Sequence, residues 1–233
     1  MKRGIVIAGA AAILAVRATV CAGDDWKMWN KYAFKLPLVK KKADLNASFE
    51  TRFREDIDEF YRYQFYMGPD YHLYPWLTLG WQYGNIQEGE PGEFRTEHRF
   101  MHFVTPRFKL RDLGIERHGL GDLACTLENR LDWRIRPHKA HRNSWQYRIY
   151  PKISYPIVKR ERFQISPFVA DAFYFDLADG IAYRQNRIYG GLSFKLLAHL
   201  NLDVYYMRLA ERAGRGGDWD GGHVIGTGVS YAF

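Results

Sequence analysis

The chain has 233 residues, 34 of them basic and 26 acidic, for a formal charge of +8, and 16% are aromatic. So modest a positive balance does not call for a nucleic-acid partner and suits anionic lipid head groups equally well. Two cysteines, Cys21 and Cys125, leave only one outside the leader described next. An intramolecular disulfide and a metal site built on several cysteines are therefore excluded.

Residues 1–22 read as a signal peptide. Lys2 and Arg3 form a positive start, Ile5 to Val16 is a short apolar run, and Val20 and Ala22 precede Gly23 as a cleavage site. The run is too short for the roughly 20 residues of a spanning helix. A lipoprotein reading of Cys21 would need a small residue where Val20 stands. Cleavage removes Lys2, Arg3 and Arg17, lowering the positive balance by three. Residues 23–233 then suit one domain of barrel or sandwich size. No later stretch is apolar enough for a helical span, which leaves a soluble β-domain or a barrel whose strands each look half hydrophobic.

The period along the mature chain is two. In the clearest segment Leu123, Cys125, Leu127, Asn129, Leu131, Trp133 and Ile135 alternate with Ala124, Thr126, Glu128, Arg130, Asp132, Arg134 and Arg136. Successive side chains of a strand point to opposite faces, so one face is nearly apolar and the other mostly charged. Similar alternation predicts strands near 27–36, 43–54, 59–68, 72–84, 93–109, 120–136, 144–157, 163–177, 182–197, 199–211 and 222–233. Pro75, Pro106, Pro151, Pro156 and Pro167 fall inside these runs, and each predicts a bulge or a strand end. Connections near 37–42, 69–71, 158–162 and 198–199 are short. Those near 85–92, 137–143 and 212–221 are longer, as on the outer side of membrane barrels. Eleven strands is an odd number, whereas bacterial barrels usually have an even one. The expectation is therefore 10 or 12, with Trp26–Leu36 outside the wall or one strand split or missed.

The chain ends on an alternating strand whose Val229, Tyr231 and Phe233 share one parity. This resembles the signal read by the barrel-assembly machinery. The fold expected is all-β: a closed antiparallel transmembrane β-barrel of about 10–12 strands in the bacterial outer membrane. It would be surrounded by outer-membrane lipids and lipopolysaccharide.

A set of short motifs in fixed order strengthens this. They are Trp29 with Lys35-Leu36, Glu50-Thr51-Arg52-Phe53, Leu77 to Tyr83, Glu97-His98-Arg99, Leu127 to Arg130 and Trp145 to Arg148. Gln185 to Leu192, Leu202 to Met207 and Gly217-Asp218-Trp219 follow. Together they resemble the bacterial outer-membrane barrel family catalogued as domain of unknown function 2490. The resemblance implies location and fold, not activity. One departure is Ala172, beside Asp171, where the family often carries an acid.

The charged parity supplies the candidate site. Glu50, Arg52, Glu97, Arg99, Glu128 and Arg130 form Glu-x-Arg units, and Arg148 and Arg187 stand as lone bases. Turned inward, these acids and bases would interlock as a ladder of charge-assisted bonds. Such a network would stiffen the barrel or line a porin-like path or site for a small solute. Barrels of about 8 strands fill with side chains and those of 16–18 leave a channel, and 10–12 lies between.

The alternative is a lipid-modifying enzyme, a lipid A acyltransferase or deacylase or a phospholipase. No serine lies in a recognisable nucleophile motif, so no catalytic residue is assigned. Ser144, after His138 and His141, is the most suggestive cluster. Those two histidines lack a third ligand for a metal, His98 and His102 read as outward interfacial residues, and no cofactor is expected.

Overall fold

The computed structural model describes residues 25–90, 92–138, 143–178, 181–212 and 217–233. The leader at 1–22, His141 and residues 213–216 lie outside the described residues.

Alternation of β-branched or aromatic residues with polar ones gives twelve strands. They are β1 (Asp25–Val39), β2 (Ala43–Arg54), β3 (Glu59–Tyr74), β4 (Leu77–Glu88), β5 (Arg95–Lys109) and β6 (Ala124–Ile135), followed by β7 (Ser144–Ser154), β8 (Val158–Lys159), β9 (Gln164–Asp176), β10 (Ala182–Lys195), β11 (Leu200–Arg212) and β12 (Trp219–Ala232). No α-helix is present among the described residues; two 3-10 turns lie between β5 and β6.

The two-residue β8 pairs only with β9, so eleven strands make the wall. Each pairs antiparallel with its predecessor, β9 following β7 directly. The ring closes where β12 meets β1 in parallel, from Asp25↔Gly222 to Lys35↔Ala232. Strand directions alternate, so an odd number makes the first and last strands run the same way, and only a parallel seam can close them. This corrects the expected all-antiparallel wall of 10 or 12 strands. The Trp26–Leu36 segment belongs to a wall strand, and among the described residues no wall strand is split or missed; only the short β8 falls in a segment read as a connection.

Two further expectations are corrected. The third connection lies at Pro75 and Trp76, not 69–71: β3 runs on through Gly68 and Pro69, and Pro75 ends it. Pro106, Pro151 and Pro167 neither end nor bulge their strands. The registers on either side of Pro106 and Pro151 are continuous, and Pro167 pairs with Leu192. A proline in a strand removes only one donor, and the wall absorbs that gap.

The connection lengths are also less segregated than expected. One end of the barrel carries Lys40–Lys42, the Pro75 turn and the terminal Phe233, but also the long 110–123 segment, braced by the Arg111–Asp122 ion pair. The other end carries the longer loops and one tight turn, where Glu55, Asp56 and Ile57 all have left-handed φ. That turn is tied to the start of β1: the Asp56 N–H donates to Asp25 Oδ1 at 3.0 Å, and the Ile57 N–H to the Trp26 carbonyl at 3.1 Å.

Burial is inverted relative to a soluble domain. Arg52, Gln64, Glu97, Arg99 and Asp132 are buried, whereas Leu79, Val104, Leu127, Ile153, Ile188 and Val204 are exposed. Outward aromatic rings mark both ends. Towards the long-loop end Trp133 is tilted against Phe100 at 5.7 Å and stacks on Trp145 at 5.9 Å, and Phe175, Tyr183 and Trp219 meet at tilted angles at 5.6 and 5.2 Å. At the opposite end Tyr74 stacks on Trp76 at 5.6 Å, and Tyr231 meets Phe233 edge-on at 4.9 Å.

Candidate binding site inside the barrel

The inward parity of the wall strands surrounds a cavity of about 630 Å³, within the 300–1,000 Å³ range of small-molecule sites. Eleven basic side chains and five acidic ones line it. A smaller polar space of about 300 Å³ lies towards the short-turn end, and Lys31, Ser48, Tyr66 and Gln82 line both.

On the side formed by β2 to β6 the bases are matched by acids. Arg52 Nε donates to Glu50 Oε1 at 2.6 Å, and Arg62 reaches Glu88 at 3.0 Å. Glu97 is the hub. It accepts from Arg99 Nε at 2.6 Å, from both Nε and Nη2 of Arg134 at 2.9 Å, and from Arg136 Nε at 2.8 Å. Asp132, fully buried, holds Arg130 at 2.7 Å and faces Arg99 at 3.7 Å. Strand geometry explains these contacts. Residues two apart share a face, and neighbouring strands lie about 4.8 Å apart, so one carboxylate reaches its own strand and the next.

The β7 to β11 side is built differently. Along the middle of β9 the inward residues are Ser166, Phe168, Ala170, Ala172 and Tyr174, none of them charged; Asp176, of the same parity, ends the strand 4.0 Å from Arg184. Facing them, Tyr150 and Tyr189 meet edge-on at 5.6 Å, and Tyr189 and Tyr205 are also 5.6 Å apart. Three guanidinium groups thread these rings. Arg148 pairs with Glu128 and lies 5.9 Å from the Tyr174 ring centre. Arg187 lies 4.6 Å from the Tyr174 ring and 4.8 Å from the Trp29 ring, and Arg52 covers Trp29 at 3.6 Å. The order is Glu128, Arg148, Tyr174, Arg187, Trp29, Arg52, Glu50: a cation–π ladder with a carboxylate at each end. Gly226 makes room for it, since a Cβ there would collide with the Tyr205 ring.

The structure thus places Glu50, Arg52, Arg99, Glu128, Arg130, Arg148 and Arg187 on the cavity wall, with Glu97 behind it. Ala172 pairs in register with Arg187. Val229 and Tyr231 sit on the outer side of the seam opposite Tyr32 and Phe34, and the Phe233 N–H donates to the Lys35 carbonyl at 3.0 Å. The parity reading had not singled out Asp132, Arg134 and Arg136 as site residues, although they share the face of Glu128 and Arg130. It also passed over Trp29, Tyr174, Tyr189 and Tyr205. Their signal was the inward parity itself, masked by following charge alone.

Of the enzymatic candidates, His141 lies outside the described residues. Ser144 is buried and its Oγ has no hydrogen-bond partner among the described residues. His98 bonds the Tyr83 hydroxyl at 2.7 Å on the outer face. His72 links Asp44 at 2.6 Å to the Thr78 hydroxyl at 3.0 Å, with Lys35 on the same carboxylate at 2.6 Å. These contacts tie the short-turn ends of β1 to β4 together.

Fold and cavity define a closed β-barrel with ionic and aromatic side chains facing inward. The chain belongs to the family described as protein of unknown function DUF2490, whose model matches residues 26–219. No curated protein matches it.

Proposed function

We propose that the protein is exported to the bacterial outer membrane, where its barrel holds or passes small solutes through an ionic interior. The observation that carries this reading is the inversion of burial. Aliphatic side chains between two aromatic zones cover the outside, and ion pairs fill the inside. Hydrocarbon would satisfy that exterior and rings would settle at the head-group levels, whereas water would leave a large apolar surface exposed. Most wall strands exceed the 9–11 residues that cross the apolar layer. In this reading the lipids are outer-membrane lipids and lipopolysaccharide, and Val229, Tyr231 and Phe233 present the strand to the assembly machinery.

Membrane fractionation with heat-modifiable gel migration tests this. The expected result is an outer-membrane protein whose unboiled form migrates faster than its boiled form. Recovery in the soluble periplasmic fraction would overturn the assignment. Planar-bilayer recording then separates passage, which gives single-channel steps, from holding, which gives none.

A further inference from the structure

We infer that the aromatic side of the cavity is a binding site for a small organic anion, a carboxylate or phosphate carried on a ring, seated on Arg187. The inference rests on the reading that solutes enter the interior and names their chemistry.

Arg187 is the central guanidinium of the ladder and the only one of its three without a carboxylate. Arg148 has Glu128 and Arg52 has Glu50, but among the described residues no acid lies within ion-pair distance of Arg187. Its Nε is buried without a partner, and its Nη2 donates to Gln185 Oε1 at 2.9 Å. Across the ladder, where a carboxylate would meet it, stands Ala172.

A buried cation lacking a counter-ion is unfavourable and is relieved when an anion arrives. The fork of guanidinium donors matches carboxylate and phosphate oxygens two at a time. Trp29 and Tyr174 hold the guanidinium plane. Beside it Tyr150, Tyr189 and Tyr205 form a continuous aromatic wall, and Lys152 lies 3.9 Å over Phe168. Such a wall takes the face of a ring. The nearby acids lie at the margins: Glu128 and Glu50 in their ion pairs, Asp203 bonded by the Ser193 hydroxyl at 2.5 Å, and Glu211 exposed at the long-loop rim, in register with Gln185.

The test is calorimetric titration of the full chain, refolded in detergent, with phenyl phosphate, benzoate, inorganic phosphate and benzyl alcohol. Phenyl phosphate and benzoate are expected to bind, with benzyl alcohol and inorganic phosphate at least tenfold weaker. Arg187→Gln should weaken phenyl phosphate at least tenfold. Ala172→Glu should do the same by supplying an internal carboxylate, while heat-modifiable migration shows the barrel still folded. Lys40→Gln, in the turn between β1 and β2 and away from the cavity lining, should stay within twofold.

If both Arg187→Gln and Ala172→Glu bind phenyl phosphate like the parent, the seat is overturned although solutes still enter. Equal binding of benzyl alcohol would overturn the selection for charge, and equal binding of inorganic phosphate the role of the aromatic wall. Failure of every probe would overturn the solute-holding interior itself.

Discussion

The two sides of the barrel interior obey the same alternation yet solve burial differently. From β2 to β6 an inward arginine meets a carboxylate two residues away or on the next strand, as at Glu50/Arg52 and around Glu97. From β7 to β11 five aromatic rings stand on the cavity wall among the polar residues, β9 adds small ones, and a guanidinium such as Arg187 lies against rings. The first solution locks charges to one another and leaves little for a guest. The second leaves a cation poised against apolar faces, as binding requires. Register makes the difference, because it decides which inward side chains come within reach of each other.

The largest expected effect lies at the hub of the paired side. Glu97→Gln removes the one carboxylate shared by Arg99, Arg134 and Arg136. Breaking a buried ion pair from one side costs about 3–5 kcal/mol, because the remaining charges stay buried without compensation. The variant should show a lowered urea midpoint in detergent, or lose its heat-modifiable form. If the midpoint is unchanged, the ionic network does not stabilise that side.

Backbone clearance should separate the two sides again, by a smaller amount. On β3 of the paired side, a Cβ at Gly68 would collide with the Trp81 carbonyl oxygen and stand 2.6 Å from Gln82 Cα, both backbone atoms. On β12, beside the aromatic side, the three atoms nearest a Cβ at Gly226 are outer atoms of the Tyr205 ring, a side chain that can turn where backbone cannot. Overpacking commonly costs 1–3 kcal/mol, at the upper end where nothing yields. Gly68→Ala should therefore lose about 3 kcal/mol and Gly226→Ala about 1 kcal/mol in the same unfolding measurement. Equal losses would show that both sides yield alike.

Much of the wall was legible from alternation alone, because a strand writes its two environments into successive residues. The Leu123–Arg136 segment is the plainest case, and it became β6. Alternation says nothing of closure, so the parallel seam between β1 and β12 appeared only as an awkward odd number. Nor does it give register. Arg130 follows Glu128 in a Glu-x-Arg unit yet bonds Asp132, while Glu128 turns to Arg148 across the ladder. The turn at Pro75 was displaced because Gly68 and Pro69 resemble a turn locally, although their strand continues between two neighbours that pair with it. Trp29 and Tyr174 escaped notice because an aromatic reads as lipid-facing unless its parity is weighed above its chemistry.

The smallest expected effect is the most discriminating. Arg187→Met removes a buried cation that has no acid to abandon, so the penalty that governs Glu97 is missing here. What is lost is contact of the guanidinium with Trp29 and Tyr174, on the order of 1 kcal/mol for each ring. What is recovered is the unfavourable burial of an uncompensated charge, and a methionine of similar reach refills the gap between the rings. The two contributions oppose each other, and the unfolding midpoint should move by less than about 1 kcal/mol in either direction. A loss approaching that of Glu97→Gln would mean that Arg187 is structurally paired after all, and the contrast between the two sides would disappear. A midpoint that rises would place the residue among those kept at the expense of stability, which is where a binding group on the aromatic side is expected to fall.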